Sequence, residues 1–416
     1  MSRERAINPW RLLCLCGLAL GIAGCAEASA RPDAVSQLVE FQKLPRAIPE
    51  TFYSQVLGGF RLVNFQRKVH DGGYTVESGP VEGKQGGAIV GSLVVVRSPD
   101  NEVTVIIDRP GKRGVLLVSR DGARKFIAEP NYDYLKSDAV TGKDETAVKI
   151  NADAGHSIDA LVAFSSKALK VLGGDPIAFA LAQMETANLG LRNSLVEGVQ
   201  LNLAGIVVTE TDNPVDGAGL GAIQALMTPL RSSYKHDVNV AYSDASPYAG
   251  MAYVPGYSSI NSIHYPLAFR HEIGHNAGGS HCYPDAVDSY RHGYQTPDGN
   301  HTHMCGNNIP YYSTPLVSLN GQPLGDAAKA DMARLWREQA GRLSAYSPAF
   351  EGHRFVFVSS NILSLTALET GHVEVGIVAL TPEVGPTELV SDNPSPNYTF
   401  LNVPLRAQDG TEHIVN

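Results

Sequence analysis

The run His271-Glu272-Ile273-Gly274-His275-Asn276-Ala277-Gly278-Gly279-Ser280-His281 constrains this chain more than any other stretch. Histidines four residues apart share one face of a helix, with Cβ atoms roughly 5–6 Å apart. Both imidazoles can therefore reach one ion at about 2.0–2.1 Å. Glu272 follows the first of them and is placed to address an ion-bound water rather than the ion. Gly278 can adopt a left-handed backbone, which lets the helix stop and the chain return His281 as third ligand. Three protein ligands leave one tetrahedral position for water, the arrangement of a catalytic zinc site and not of a structural one. A bare His-Glu-x-x-His arises often by accident. Requiring Gly278 and His281 as well brings a chance match down to the order of 10⁻⁵ for a chain of this length.

The extended motif resembles that of the metzincin metallopeptidases, whose second signature is a methionine turn beneath the metal. His303-Met304-Cys305-Gly306 follows at a spacing that suits that turn, so Met304 is the matching residue. Ile309-Pro310-Tyr311-Tyr312-Ser313-Thr314-Pro315 resembles the segment that walls the S1′ pocket in this clan, which makes Tyr312 a substrate-pocket residue on the same likeness. Within the clan the chain is similar to the bacterial peptidyl-Asp and reprolysin-like branch, through Ile158 to Val162, the run from Tyr253 to the zinc motif, and the Pro-Tyr-Tyr-Ser-Thr-Pro segment. Two positions depart from the clan. Gly306 stands where astacin-like and serralysin-like members carry a tyrosine, and Cys282 where reprolysin-like members usually place an aspartate.

The amino terminus reads as an export signal. Arg3, Arg5 and Arg11 precede a short apolar run from Leu12 to Ala23, too short to span a bilayer comfortably. It ends in Ile22-Ala23-Gly24-Cys25, which resembles a bacterial lipobox, with Cys25 as the lipidated residue. The expectation is an exported bacterial lipoprotein of the cell envelope, meeting the membrane only through its anchor. An ordinary secretory signal cut after Ala28 or Ala30 is the alternative. Of five cysteines, Cys14 and Cys16 leave with the signal and Cys25 is acylated, so Cys282 and Cys305 remain as an even pair. A disulfide between them would tie the third ligand to Met304 and contribute roughly 3 kcal/mol. Two free thiols are the competing reading.

The formal net charge is −9 and no Lys/Arg-rich run occurs, which argues against nucleic acid or an anionic membrane surface as main partner. The chain divides into a signal peptide (1–24), a tether (25–50), a β-rich pro-domain or accessory domain (51–150), a catalytic domain (151–350) and a small β-rich carboxyl-terminal region (351–416). Short strand-like runs at Ala88–Val96, Val103–Ile107 and Val115–Val118, separated by Asp-Gly and Pro-Asp turns, carry the second assignment. In the catalytic region, strands are expected at Ile158–Phe164, Gln200–Val208 and Asp237–Tyr242. Met251–Val254 is expected as an edge strand able to add an extended substrate. Asp175-Pro176 marks a helix start, running to about Leu195. Further helices are expected at Pro266–Ala277 and Asp326–Leu343. The fold class is α+β: a metzincin-type catalytic domain with a mixed twisted sheet, an active-site helix and a Met-turn, flanked by small β-rich regions.

The function expected is a zinc endopeptidase with one catalytic Zn²⁺ held by His271, His275 and His281. Glu272 would activate the zinc-bound water as general base and then deliver the proton to the leaving amine. Its partner is a protein or peptide substrate; an acidic residue at S1′ follows only from the peptidyl-Asp likeness. A surface-binding lipoprotein that keeps the fold without hydrolysis and a zinc amidase acting on a non-protein amide are the competing classes.

Overall fold

Two sheets grip one helix, and that arrangement follows from where the chain places its apolar runs. The computed structural model describes residues 50–135, 138–142, 155–245, 247–282, 289–348, 405–406 and 412–413. The expected signal peptide, Cys25, nearly all of the tether and most of 351–416 lie outside the described residues.

Helix α1 (Glu50–Leu57) leads into an antiparallel sheet of β1 (Arg61–Leu62), β2 (Gln66–Val69), β3 (Thr75–Glu82), β4 (Ile89–Arg97), β5 (Val103–Arg109), β6 (Lys112–Val118) and β7 (Arg124–Ala128). Its path runs β1-β3-β4-β5-β6-β7, with β2 also paired to β3. The alternating Val/Ile/Leu runs expected from the sequence supply β4 to β6. Val76, Val94, Val96, Ile106 and Val115 point to the buried face.

The second sheet has the order β10-β9-β11-β13-β12-β8. Its members are β8 (Ala139–Thr141), β9 (His156–Ser165), β10 (Val199–Thr209), β11 (Val238–Ser243), β12 (Gly250–Val254) and β13 (Ser258–Ser262). β10, β9, β11 and β13 run parallel, β12 is antiparallel to β13, and β8 pairs parallel with β12. The parallel pairs are linked by crossovers containing α2 (Ser166–Leu172), α3 (Pro176–Asn193) and α4 (Gly217–Met227). β12 is therefore an interior strand here, not the edge expected from the sequence. Residues 138–141, grouped by composition with the amino-terminal region, belong to this second sheet.

α3 is the helix between the sheets. Asp175 accepts from the backbone N–H groups of Ile177 and Ala178, and Pro176 presets the first turn. Every residue from Ile177 to Leu191 is buried, as a helix covered on two sides requires. One side meets β10 and the other meets β3 to β5. Full burial of each Val or Ile in this shared core is worth about 1.5–3 kcal/mol. Polar side chains of α3 reach backbone partners: the Asn188 amide donates to the Leu201 carbonyl and accepts from the Leu201 N–H, and the Gln183 amide nitrogen donates to the Pro266 carbonyl.

The helix carrying the histidine motif, α5, spans Phe269–Asn276 and is buried along its whole length. After it come β14 (Ser280–Cys282), β15 (His292–Gly293), β16 (Thr314–Leu319) and β17 (Gln322–Leu324). The last helix among the described residues, α6, covers Met332–Leu343 and starts later than the expected Asp326. Asp326 instead closes a turn by accepting from the Ala328 and Lys329 N–H groups, and Asp331 caps α6 by accepting from Arg334. Both are aspartates, and the second one wins because Met332, Leu335 and Trp336 then face the core.

Candidate metal centre

α5 presents His271 and His275 on one face, and the chain beyond it returns His281 to the same point. Gly278 has φ 103°, the left-handed backbone expected of it, and the N–H groups of Gly278 and Gly279 donate to the carbonyls of His275 and Gly274. The turn releases the chain into β14, where His281 sits. His271 Nε2 and His275 Nε2 each lie 3.2 Å from His281 Nε2. Around a four-coordinate ion with bonds of about 2.0–2.1 Å, neighbouring ligand atoms are about 3.3 Å apart. The spacing fits.

The other ring nitrogens fix which atom faces the centre. His271 Nδ1 donates to the His303 carbonyl, and His275 Nδ1 donates to the Gly279 carbonyl at 2.8 Å. With Nδ1 engaged in this way, each Nε2 offers a lone pair. Burial pushes the His271 imidazole down to about 3, so it is neutral at ordinary pH. Convergent lone pairs at these distances suit a cation.

A fourth ligand atom completes the group, and sequence reasoning missed it. Asp138 precedes β8 and is fully buried. Its Oδ1 lies 2.9 Å from His281 Nε2 and 3.2 Å from His275 Nε2, and its Oδ2 lies 3.5 Å from His271 Nε2. Burial opposes its charge, but the three imidazoles outweigh that and hold the carboxyl below the usual range. The four residues form one set of donors that can hold a metal ion. The sequence reading expected three imidazoles alone; the buried carboxylate of Asp138 stands with them.

Glu272 lies beside the centre and is fully buried. Among the described residues, neither of its carboxylate oxygens has a hydrogen-bond partner. Burial, then the charge of Asp138, pushes its carboxyl well above the usual range. Gly250 of β12 makes room for it, because a Cβ at that position would overlap the Glu272 carboxylate. A buried acid without a partner is costly unless a ligand supplies one.

Met304 is fully buried below α5, and a Cβ on Gly274 would overlap its Sδ. Cys282 and Cys305 form a disulfide with Cα atoms 4.7 Å apart, joining the His281 strand to the residue after Met304. Gly306 has φ 82° and a Cβ there would overlap the His301 ring, which leaves no space for a tyrosine at this position. Tyr312, the residue expected in the substrate pocket, follows the Met304 segment. It is fully buried, donates its hydroxyl to the Arg270 carbonyl at 2.7 Å and packs edge-on against Trp336 and His303. Its large apolar ring goes to the core, and its one polar atom is used on the backbone of α5.

The amino-terminal part of the chain also reaches this helix. Arg270 Nη2 pairs with Asp108 Oδ2 of β5, the Leu267 N–H donates to Glu129, and the Tyr134 ring lies 5.4 Å from the His271 ring.

Comparison with curated proteins finds peptidyl-Asp metalloendopeptidases. The chain is 27% identical to a peptidyl-Asp metalloendopeptidase of Xanthomonas campestris, over 79% of this chain and 92% of that protein. It is 28% identical to a peptidyl-Asp metalloendopeptidase of Stenotrophomonas maltophilia, over 61% of this chain and 70% of that protein. The crystal structure of metalloproteinase-II from Bacteroides fragilis aligns at 12% identity and a TM-score of 0.40, covering 67% of this chain and 86% of that one. No protein-family model matches the chain.

Proposed function

We propose that this relative of the peptidyl-Asp metalloendopeptidases is a zinc-dependent endopeptidase of metzincin type. The observation that carries the reading is the convergence of three imidazole Nε2 atoms beside the buried, unpartnered Glu272 carboxylate. His271, His275 and His281 would hold the zinc. When bound, it supplies Lewis-acid polarisation of the scissile carbonyl and makes water acidic enough to yield a nucleophile near neutral pH.

The chain's own residues do the rest. Glu272 takes a proton from the attacking water and passes it to the leaving amine nitrogen, first as base and then as acid. Its buried position keeps competing solvent away from that proton. The carbonyls of His303 and Gly279 hold the two α5 histidines in the tautomer that presents Nε2. Met304 forms the apolar floor under the trio, in the role of the Met-turn, and the Cys282–Cys305 disulfide keeps floor and third ligand together. The relatives' name supports peptide bonds next to aspartate as the substrate class. Export and lipidation at Cys25 rest on the sequence alone.

The test is metal analysis of the purified chain, followed by hydrolysis of an unfolded casein substrate after limited proteolysis of the chain. One zinc per chain is expected, with hydrolysis abolished by a chelator. A chain that binds no transition metal sinks the proposal.

A further inference from the structure

One asparagine side chain joins the helix of the histidine motif to the segment that floors it. Asn307 Oδ1 accepts from Arg270 Nε at 2.6 Å and from His303 Nδ1 at 3.0 Å. Its amide nitrogen donates at 2.8 Å to the carbonyl of Leu267, just ahead of α5, and that bond settles which way the amide points. The Asn307 backbone carbonyl accepts from Arg270 Nη2 at 3.1 Å and from Arg113 Nη2 at 2.8 Å. Asn307 also has φ 55°, a left-handed backbone that asparagine tolerates better than most residues with a side chain. Conformation and bonding ask for the same residue type.

We propose that Asn307 is a positioning residue of the metal centre, acting through His303 on the ligand His271. The inference rests on the reading of the site as a zinc peptidase centre. The connection is continuous. Asp108 Oδ2 accepts from Arg270 Nη2 at 2.6 Å, Arg270 and His303 meet on Asn307 Oδ1, and the His303 carbonyl accepts from His271 Nδ1. Every one of these side chains is buried, so no solvent replaces a lost partner. The partner of Nδ1 decides the tautomer of a ligand imidazole and the direction in which Nε2 points.

Two observations separate positioning from plain packing. His303 is held on three sides: a Cβ on Gly190 would overlap its Nε2, the Tyr312 ring lies edge-on at 4.9 Å, and its N–H donates to the Tyr311 carbonyl at 2.8 Å. Its carbonyl is thereby aimed at His271, and Asn307 closes the remaining side. The second observation is where the other donor comes from. Arg270 immediately precedes His271, so one oxygen fixes both the ligand's neighbour and the ligand's acceptor. Without that oxygen, Arg270 Nε and His303 Nδ1 lose a shared buried acceptor, and the peptide that orients His271 is released.

The experiment measures zinc affinity of the full chain by competition with a chromophoric chelator, beside the visible spectrum of the cobalt(II) form. Asn307→Ala is expected to weaken zinc binding by about ten-fold or more and to shift the cobalt bands. Asn307→Asp keeps an oxygen for both donors and is expected to stay within a few-fold of wild type. Asn188→Ala, which removes a buried amide of α3 remote from this connection, should lower the urea midpoint and leave affinity and spectrum unchanged. If Asn307→Ala does not fold, Arg270→Lys carries the test. It keeps a charge facing Asp108 but lacks the fork that reaches Asn307 as well, so the same loss is expected. Wild-type affinity and spectrum in Asn307→Ala, or in Arg270→Lys where it stands in, overturn the positioning role and leave the peptidase reading standing. A loss in Asn307→Asp or Asn188→Ala equal to that of Asn307→Ala does the same. Failure of wild type to bind zinc overturns both.

Discussion

Arg270 Nη2 lies 2.6 Å from Asp108 Oδ2, so the residue immediately before His271 is tied to a strand of the other sheet. Both side chains are buried, and Arg270 also donates to Asn307 Oδ1 at 2.6 Å. Breaking such a pair from one side leaves an uncompensated buried charge. Asp108→Ala should therefore cost about 3–5 kcal/mol. Urea unfolding measures it, and a loss under about 1 kcal/mol would show that Arg270 finds its compensation elsewhere.

Glu272→Gln keeps the shape of the side chain and removes its ability to take a proton. Turnover should fall by about 10²–10⁴-fold while metal content stays at the wild-type level. Steady-state kinetics on the activated chain, beside elemental analysis of the same sample, checks both halves. Turnover within a few-fold of wild type would remove Glu272 from the mechanism.

His275→Ala takes away an imidazole whose Nδ1 is held by Gly279 and whose Nε2 faces the centre. Metal and activity should be lost together, unlike the Glu272 variant. Dialysis against a weak chelator followed by elemental analysis separates the two cases. Full retention of metal would place the centre elsewhere.

Asp237 is buried where its carboxylate accepts from the backbone N–H groups of Asp159 and Ser347. Burial pushes its pKa up to about 7, against those hydrogen bonds. An acid with a raised folded pKa binds its proton more tightly in the native state, so its contribution to stability is present below the unfolded value of about 4 and is lost as pH rises through about 7. The loss is at most about 4 kcal/mol. Comparing urea midpoints at low and neutral pH, Asp237→Asn should show a flatter decline than wild type. Equal slopes would refute the assignment.

The Cys282–Cys305 disulfide closes a loop of 23 residues that contains neither α5 histidine but ends next to His281 and Met304. Replacing both cysteines with serine should cost roughly 3 kcal/mol. Faster metal loss should accompany it, because the third ligand loses its tie to the floor of the site. Metal retention unchanged from wild type would mean that the β14–β15 pairing alone positions His281.

What the sequence disclosed, and what it hid, divides by range. His271, His275, Gly278 and His281 lie within one turn-and-return of the chain, so their spacing alone predicts convergence. Asp175 and Pro176 announce α3 in the same local way. Asp138 has no such signature: it is one of three acids in the polar stretch 136–146, 137 residues before His275. Only the parallel pairing of β8 with β12 brings it to the centre, and parallel register leaves no local pattern. The carbonyls of His303 and Gly279, which orient the ligands, are backbone groups that every residue possesses. The hydrogen bond from Tyr312 to the Arg270 carbonyl was not legible either, because a motif likeness gives position along the chain and not the direction of the ring.

The placement of α3 between the sheets carries a consequence for biogenesis. Val76, Val94, Val96, Ile106 and Val115 precede Ile177 along the chain, so strands β3 to β6 emerge first from the ribosome. They present a ready-made mould on which the later helix can settle. A shortened gene product beginning after Gly155 would emerge without that mould, with the apolar flank of α3 uncovered while the rest is still being assembled. In the folded chain that flank is covered by the leading sheet.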